Sequence, residues 1–209
     1  MKYLISAGPT REKIDPVRFL SNRSTGKMGY AIAEAARDAG HSVSLVSGPV
    51  SLRPPDGVET VNVESAAEMA DAVKSRAPEA DVIIMSAAVA DYRPIQTFTE
   101  KMKKQEGSLI LELERTEDIL AALGKTKRPG QLLVGFAAET NNVLEYALDK
   151  LRRKNLDWIV ANDVAKPGQG FAADTNAATM VAADGRTVEL PLQDKKAMAA
   201  RIIAIIDAR

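Results

Sequence analysis

Hydrophobic residues along this chain alternate between short continuous runs and positions spaced three or four apart. Continuous runs are typical of strands buried in a parallel sheet, and the wider spacing is typical of amphipathic helices. The pattern predicts strands over Lys2–Ala7, His41–Ser47, Asp81–Ser86, Gln131–Phe136 and Asp157–Ala161, a short strand near Val61, and helices over Met28–Ala39, Glu64–Ala77, Asp118–Leu123, Asn142–Lys154 and Gln193–Ala208. This order predicts an α/β fold, a Rossmann-like, doubly wound and mostly parallel sheet.

Two segments depart from the alternation of strand and helix. Residues 91–115 contain a basic run, and within them Ser108–Glu114 alternates leucine with mostly polar residues, which predicts a half-buried strand. We expect residues 91–115 to form a flap or dimerisation excursion. Near the end of the chain, Asn176–Ala182 and Thr187–Leu192 flank Asp-Gly, which predicts a C-terminal β-hairpin. With no repeat or linker in between, residues 1–209 are expected to form a single domain.

Composition excludes several classes of function. Lys plus Arg and Asp plus Glu both number 28, so no basic field favours nucleic acid or an anionic membrane. No apolar run approaches the roughly 20 residues of a membrane span. The absence of cysteine excludes thiol nucleophiles and fits a cytoplasmic protein. The single histidine, His41, is expected in a loop, which makes a histidine-based triad improbable.

The connection between the first strand and the first helix has unusual length and polarity. It runs from Gly8 to Gly29, whereas ordinary strand–helix loops take roughly 2–6 residues, and much longer loops tend to be functional. Its end, Ser24–Gly29, meets a helix start, where backbone N–H groups favour an anion. An alternative of about equal weight is simple helix capping by Ser24 or Thr25.

Lysines elsewhere in the chain could likewise bind an anion or have only a structural or solvated role. Lys101, Lys103 and Lys104 could close over a polyphosphate as part of a mobile flap, or form an ordinary solvated loop. Lys150 and Lys154 share one helix face because they lie four residues apart. Together with the loops that follow each strand, they indicate charge stabilisation in phosphoryl or nucleotidyl transfer.

A long ordered set of motifs resembles the phosphopantothenate–cysteine ligase family, which forms the second half of bacterial bifunctional coenzyme A biosynthesis flavoproteins. The resemblance covers essentially the whole chain. Its motifs are Gly8–Glu12, Asp15–Arg18, Ser21–Gly29, Val46–Pro49, Ala87–Arg93, Lys101–Lys104, Gly135–Thr140, Lys154–Asp157 and Ala161–Asp163.

This resemblance implies that the chain ligates 4′-phosphopantothenate to L-cysteine. Bacterial members of the family use CTP with Mg²⁺, form an acyl-cytidylate and pyrophosphate, and then release CMP when the cysteine amine attacks. The resemblance also implies a homodimer, no flavin in this chain, and a fused or separate flavin-dependent decarboxylase as partner.

The resemblance further implies the site residues. Asn22 would orient the acyl-cytidylate and Lys101 would be the flap lysine that contacts the triphosphate, both as catalytic residues, while the metal-binding groups are not implied. The remaining nucleotide contacts would come from Gly26, Gly29, Met85, Ser86, Ala87, Asp91, Glu117, Asp118, Ile119, Leu120, Phe136, Lys150 and Lys154. Glu117 departs from the family, which usually has proline there.

Two other functions remain open from the residues. An NAD(P)-dependent oxidoreductase would need a glycine fingerprint after the first strand and an acidic residue at the end of the second, where this chain has Ser47-Gly48-Pro49. A non-catalytic nucleotide-binding module would share the site but show no turnover.

Overall fold

An eight-stranded sheet forms the centre of the computed structural model, which describes residues 1–104, 106–139, 143–163 and 173–208. The strands in chain order are β1 (Lys2–Ala7), β2 (Arg11–Lys13), β3 (Phe19–Ser21), β4 (Ser42–Ser47), β5 (Glu59–Asn62), β6 (Val82–Met85), β7 (Tyr92–Pro94), β8 (Leu113–Arg115), β9 (Leu132–Glu139), β10 (Trp158–Asp163), β11 (Thr175–Ala182) and β12 (Thr187–Asp194). The helices are α1 (Lys27–Asp38), α2 (Ala66–Arg76), α3 (Ile119–Thr126), α4 (Val143–Arg153) and α5 (Lys195–Asp207), with a 3-10 turn at Ala77–Glu79.

The strand order in this sheet is β12-β11-β10-β9-β6-β1-β4-β5. The strands from β10 to β5 pair in parallel, and β11 and β12 add an antiparallel hairpin at one edge. The predicted Rossmann-like fold, with its mostly parallel sheet and C-terminal hairpin, is therefore confirmed. The central strands are buried on both faces, which is why their sequences are continuously apolar.

Helices cover the two faces of the sheet separately. Ile32 of α1 and Ile202 of α5 belong to one apolar cluster, together with Ile5 and Ile84 of the sheet. The other face is covered by α2, α3 and α4. Since parallel strands all end at the same edge, the helices from both faces meet at that edge through their preceding loops.

Two segments with antiparallel pairing lie outside the main sheet. Strands β2 and β3 form a small hairpin within the long connection after β1, which the sequence pattern did not predict. Strands β7 and β8 pair at the base of the 91–115 excursion. The two meet where the Phe98 N–H donates to the Ile14 carbonyl, at 2.9 Å.

The prediction of a half-buried strand over residues 108–114 is wrong. Only Leu113–Arg115 is a strand, and Leu109 and Ile110 are 58% and 84% exposed. The leucines do alternate, but this segment lies beyond the main sheet, so Leu109 and Ile110 have no apolar layer of the described residues to pack against.

Helix α3 continues to Thr126, beyond its predicted end at Leu123. A Cβ at Gly124 would lie 2.0 Å from the Lys154 carbonyl oxygen, so this glycine permits a close approach of two backbones. The predicted start of the next helix at Asn142 lies outside the described residues, and α4 is described from Val143. Among the described residues, no helix is both long enough and apolar enough to cross a bilayer.

Candidate active site

A cavity of about 690 Å³ opens at the edge of the sheet where the parallel strands end. It receives loops from β1, β6 and β9 and helix starts from both faces. Its lining residues are Asn22, Ser24, Gly26–Gly29, Met85–Tyr92, Arg115–Leu120, Phe136, Lys150, Lys154, Asn162, Asn176 and Lys195. Every catalytic or nucleotide-contacting residue that the family resemblance implies, except Lys101, is in this set.

Asn22 is held against the loop that follows β6. Its amide Nδ2 donates to the carbonyl oxygens of Ala88 and Val89, at 3.0 and 3.3 Å. The two loops are joined further because the Ala88 N–H donates to Gly8 O at 2.9 Å, and the Ala90 N–H donates to Thr10 Oγ1 at 3.0 Å. With Nδ2 committed to these carbonyls, the amide is oriented before any ligand arrives.

The glycines at the start of α1 have separate roles. Gly26 occupies the N-cap position with φ 77°, a left-handed conformation that favours glycine. Gly29 allows close packing, because a Cβ there would lie 2.5 Å from Ala7 Cβ. Ser24 does not cap the helix in the expected way, since its Oγ accepts from the Gly26 N–H at 3.3 Å. The helix therefore starts at the cavity with a backbone turn suited to an anion.

The turn from Glu117 to Leu120 is tied to two helices by ion pairs. Asp118 caps α3 by accepting from the Ala121 N–H at 3.0 Å, and its Oδ2 lies 2.8 Å from Lys154 Nζ. Burial raises the pKa of Asp118, but the hydrogen bond from Lys154, aided by the Ala121 N–H, outweighs burial and leaves this pKa below its ordinary value. On the neighbouring side, Lys150 Nζ donates to the Phe136 carbonyl at 2.7 Å.

Glu117 has a partner of its own on α2. Lys74 Nζ donates to both carboxylate oxygens of Glu117, at 2.7 and 2.9 Å, and this hydrogen bond raises the pKa of Lys74. Proline, the usual family residue at this position, restricts the backbone. This chain has Glu117 instead, and its ion pair with Lys74 ties the turn to α2.

Lys101 is not among the cavity-lining residues but is exposed on the excursion. The adjacent Met102 is anchored, because its N–H donates to Asp15 Oδ2 at 3.2 Å and its carbonyl accepts from Arg18 Nη2 at 3.1 Å. The Arg18 guanidinium, with backbone N–H groups of Val17, Arg18 and Met102, holds the pKa of Asp15 well below its usual range. The Asp15–Arg18 pair thus links the first loop to the part of the 91–115 excursion that carries Lys101.

Three buried polar residues of this cavity were not predicted as site residues. Asn162 in β10, Asn176 in β11 and Lys195 at the start of α5 are 9%, 5% and 7% exposed. Asn162 was detectable, since it follows an apolar strand run as the other site loops do. The signal for Lys195 was weaker, because a lysine at a helix start usually faces solvent.

Comparisons with known proteins identify the family of this chain. A family model of the DNA/pantothenate metabolism flavoprotein C-terminal domain matches residues 1–209. The coenzyme A biosynthesis bifunctional protein CoaBC of Bacillus subtilis (strain 168) is 54% identical over 206 residues, covering 98% of this chain and 50% of that protein. The chain thus spans about half the length of the curated relatives it matches.

Solved structures are similar over the whole chain. A crystal structure of the C-terminal domain of CoaBC is 52% identical with a TM-score of 0.84, covering 99% of this chain and 94% of that one. A mutant of Cab2 in complex with phosphopantothenate-cysteine has a TM-score of 0.81 at 20% identity, covering 100% of this chain and 85% of that one, which shows a shared fold. From the full-length family match and these relatives, the chain belongs to the family of DNA/pantothenate metabolism flavoprotein C-terminal domains.

Proposed function

We propose that this chain joins 4′-phosphopantothenate to L-cysteine in coenzyme A biosynthesis, using CTP and an acyl-cytidylate intermediate. The main support is that residues far apart in sequence line one cavity of about 690 Å³, among them Asn22, Asp91, Phe136 and Lys154. This volume falls in the range of small-molecule sites. Similarity to CoaBC and to its C-terminal domain supports the same reaction.

In the first step, a carboxylate oxygen of phosphopantothenate attacks the α-phosphorus of CTP. The new P–O bond forms as the bond to the β-phosphate bridge breaks, and pyrophosphate leaves with the electron pair. Both reactants are anions, so the site must offset their repulsion. Lys27 and Lys195 contribute positive charge from one face of the sheet, and Lys150 and Lys154 contribute it from the other.

Magnesium fits this site as an ion carried by the nucleotide. Mg²⁺ commonly binds substrate phosphates with only one or two protein carboxylates. Among the lining carboxylates that the structure describes, Asp118 and Glu117 are paired with Lys154 and Lys74, so Asp91, exposed at the cavity, is the one of these three that would hold it. When bound, Mg²⁺ supplies charge neutralisation on the phosphates.

In the second step, the cysteine amine attacks the acyl carbon of the intermediate. The new C–N bond forms, the acyl C–O bond breaks, and CMP leaves while the amine loses a proton to solvent. Because the acyl group is already activated, orientation matters more than a strong base. Asn22 fits this role, since its Nδ2 is fixed to the Ala88 and Val89 carbonyls and its position at the cavity is set before binding.

One assay tests the reaction. The protein is mixed with phosphopantothenate, cysteine, Mg²⁺ and either CTP or ATP, and the release of pyrophosphate and CMP or AMP is followed. We expect product with CTP. Product with ATP alone would contradict the nucleotide assignment, and no product with either would contradict the ligase proposal.

A matched pair of variants tests the site in the same assay. Asn22→Ala should lower kcat about a hundredfold, since misplacing a reacting group can cost that much. Asn62→Ala, at the exposed end of β5, should leave the rate unchanged. Equal rates for Asn22→Ala and wild type would contradict the role of Asn22. Binding of CTP without turnover would instead favour a non-catalytic nucleotide-binding module.

The oxidoreductase alternative is disfavoured by the end of β4. An NAD-binding Rossmann site places a carboxylate there for the ribose. This chain has Ser47 followed by Gly48, and a Cβ at Gly48 would lie 1.7 Å from the Pro9 carbonyl oxygen. The neighbouring loop therefore occupies the space where a side chain would have to begin.

We also propose that the domain is a homodimer that pairs through its two small antiparallel sheets. Large apolar side chains are exposed on the β2–β3 hairpin and on the 91–115 excursion: Val17, Phe19, Tyr92, Ile95, Leu109, Ile110 and Leu113. Such a concentration is typical of an interaction surface. Sedimentation should give a dimer at micromolar concentration, and Ile110→Asp should shift it to monomer, whereas a wild-type monomer would contradict this proposal.

We propose that residues 1–209 form one ligase domain, located in the cytoplasm. Since CoaBC is bifunctional and this chain covers about half of it, a flavin-dependent decarboxylase, fused or separate, is the proposed functional partner.

A further inference from the structure

Thr10 is a fully buried polar residue that has no part in the mechanism proposed above. It lies in the loop between β1 and β2 and is not among the residues that line the cavity. Because a buried hydroxyl is normally hydrogen-bonded, the partners of Thr10 show which parts of the structure it holds in place.

The side chain of Thr10 holds the loop that follows β6. Its Oγ1 accepts from the Ala90 N–H at 3.0 Å. Ala90 is buried, so its N–H depends on this hydroxyl for a partner. The two carbonyl groups that accept from Asn22 Nδ2, those of Ala88 and Val89, immediately precede Ala90 in the chain. Thr10 therefore fixes this loop beside the point where the Asn22 amide is bound.

The backbone of Thr10 holds the residue that precedes Asn22. Ser21 Oγ donates to the Thr10 carbonyl at 2.8 Å. Ser21 is the last residue of β3 and is paired with Arg11 of β2, so Thr10 and Asn22 are the next residues beyond this pair on the two strands. The Ser21 hydroxyl thus extends the link between the two strands to the start of the Asn22 segment.

We infer that Thr10 is a positioning residue for Asn22. The inference rests on the proposed function and deepens it by naming the residue that sets the orientation of the Asn22 amide. Thr10 holds both the backbone next to Asn22, through Ser21, and the loop whose carbonyls the amide binds, through Ala90. Since orientation of the reacting groups limits the rate, loss of the Thr10 hydroxyl should act mainly on kcat.

Thr10→Val is the informative substitution because valine has nearly the same shape but offers no acceptor to the Ala90 N–H. The variant should keep the fold, since the Ala88 N–H still donates to Gly8 O at 2.9 Å and joins the same two loops. Thr10→Ser keeps the hydroxyl and is the conservative variant. Thr60→Val is the matched control, because Thr60 lies in β5 and does not line the cavity.

The first measurement is kcat for the ligation of phosphopantothenate to cysteine with CTP, taken well below the Tm of each variant. Thr10→Val should lower kcat about tenfold, less than the roughly hundredfold effect of misplacing a reacting group by 1 Å. Thr10→Ser should restore most of the rate, and Thr60→Val should leave it unchanged. A wild-type rate for Thr10→Val, or an equal loss in Thr10→Ser and Thr10→Val, would overturn the inference.

A double-mutant cycle with Asn22→Ala separates positioning of Asn22 from general destabilisation. If Thr10 acts through Asn22, Thr10→Val should lower kcat by less than about twofold once Asn22 is alanine, because residues that act together are not additive. A purely structural role would instead give the same loss in both backgrounds, and that result would overturn the inference.

The side-chain amide signals of Asn22 give a readout that needs no turnover. They are identified in a ¹⁵N–¹H NMR spectrum by their loss in Asn22→Ala. These signals should shift in Thr10→Val, where the loop carrying their acceptors loses its anchor, and should stay in place in Thr60→Val. Unchanged Asn22 signals in Thr10→Val would overturn the inference whether or not the protein is active.

Folding and function are controlled separately. If Thr10→Val does not fold, Ser21→Ala tests the same link from its exposed side, and unchanged Asn22 signals there would overturn the inference. If the wild-type protein shows no turnover with CTP or ATP while the Asn22 signals shift as expected, the proposed function fails and the positioning of Asn22 by Thr10 stands. If the wild type turns over and only the Thr10 variants contradict expectation, the role of Thr10 fails alone.

Discussion

Replacing Gly29 by alanine tests whether close packing of α1 on β1 positions the site. Two effects oppose each other. Alanine in a helix is favoured over glycine by about 1 kcal/mol. The added Cβ, however, would lie 2.5 Å from Ala7 Cβ and 3.0 Å from both Ala7 Cα and the Ser6 carbonyl oxygen. Carbon atoms normally contact at about 3.5–4.0 Å, so α1 would have to retreat by about 1 Å.

The cost of overpacking should exceed the gain in helix propensity. The added Cβ would press on β1, which is hydrogen-bonded on both sides, to β4 and to β6, and therefore cannot shift easily. Overpacking of this kind costs about 3 kcal/mol at the upper end of its usual range. After the gain in helix propensity, a net loss of about 2 kcal/mol remains, which corresponds to a fall in Tm of about 4–8 °C for a chain of this length.

Thermal unfolding followed by circular dichroism measures this change, and CTP titration measures its effect on the site. Ala200→Gly, at an exposed position in α5, is the control that gives the propensity term in this protein. We expect Gly29→Ala to lower both Tm and CTP affinity, because Gly26 and Lys27 move with the helix. An unchanged or raised Tm would refute the close-packing argument.

Three other changes separate the parts of the site. Lys101→Ala should lower kcat/KM for CTP about tenfold without changing Tm, because the proposed role of this exposed residue is contact with bound nucleotide. A large fall in Tm would contradict this. Lys154→Met should weaken CTP binding and raise the pKa of Asp118, readable by NMR titration, because the carboxylate loses its ammonium partner; an unchanged pKa would exclude that coupling. Asp15→Asn should destabilise the protein in urea unfolding above about pH 4. The difference in stability should shrink as the pH falls below 3.8, the ordinary pKa of an aspartate, because the depressed pKa of Asp15 stabilises the folded state only while the unfolded chain would hold this carboxyl ionised. A penalty that stays constant down to pH 2.5 would show that ionisation of Asp15 is not its cause.

Much of the fold was predictable because its signals are local. Continuous apolar runs such as Val82–Met85 identify buried strands within four residues, and the Asp-Gly turn identifies the terminal hairpin. The place of the cavity was also largely predictable, since strand ends in a parallel sheet meet at one edge whatever the details of packing. The errors occurred where a local pattern lacked its expected neighbour, as at Leu109, which alternates like a buried strand residue but is exposed.

The α/β class, the order of the elements and the loops that line the cavity follow from local sequence, because hydrophobic periodicity and motif spacing are properties of nearby residues. The ionic partners, in contrast, depend on the tertiary structure. Lys154 meets Asp118 across 36 residues and Lys27 meets Asp174 across 147, and both pairs depend on how helices pack on the two faces of the sheet. Burial of Lys195 was decided in the same way, because the exposure of a side chain depends on what the rest of the chain places over it.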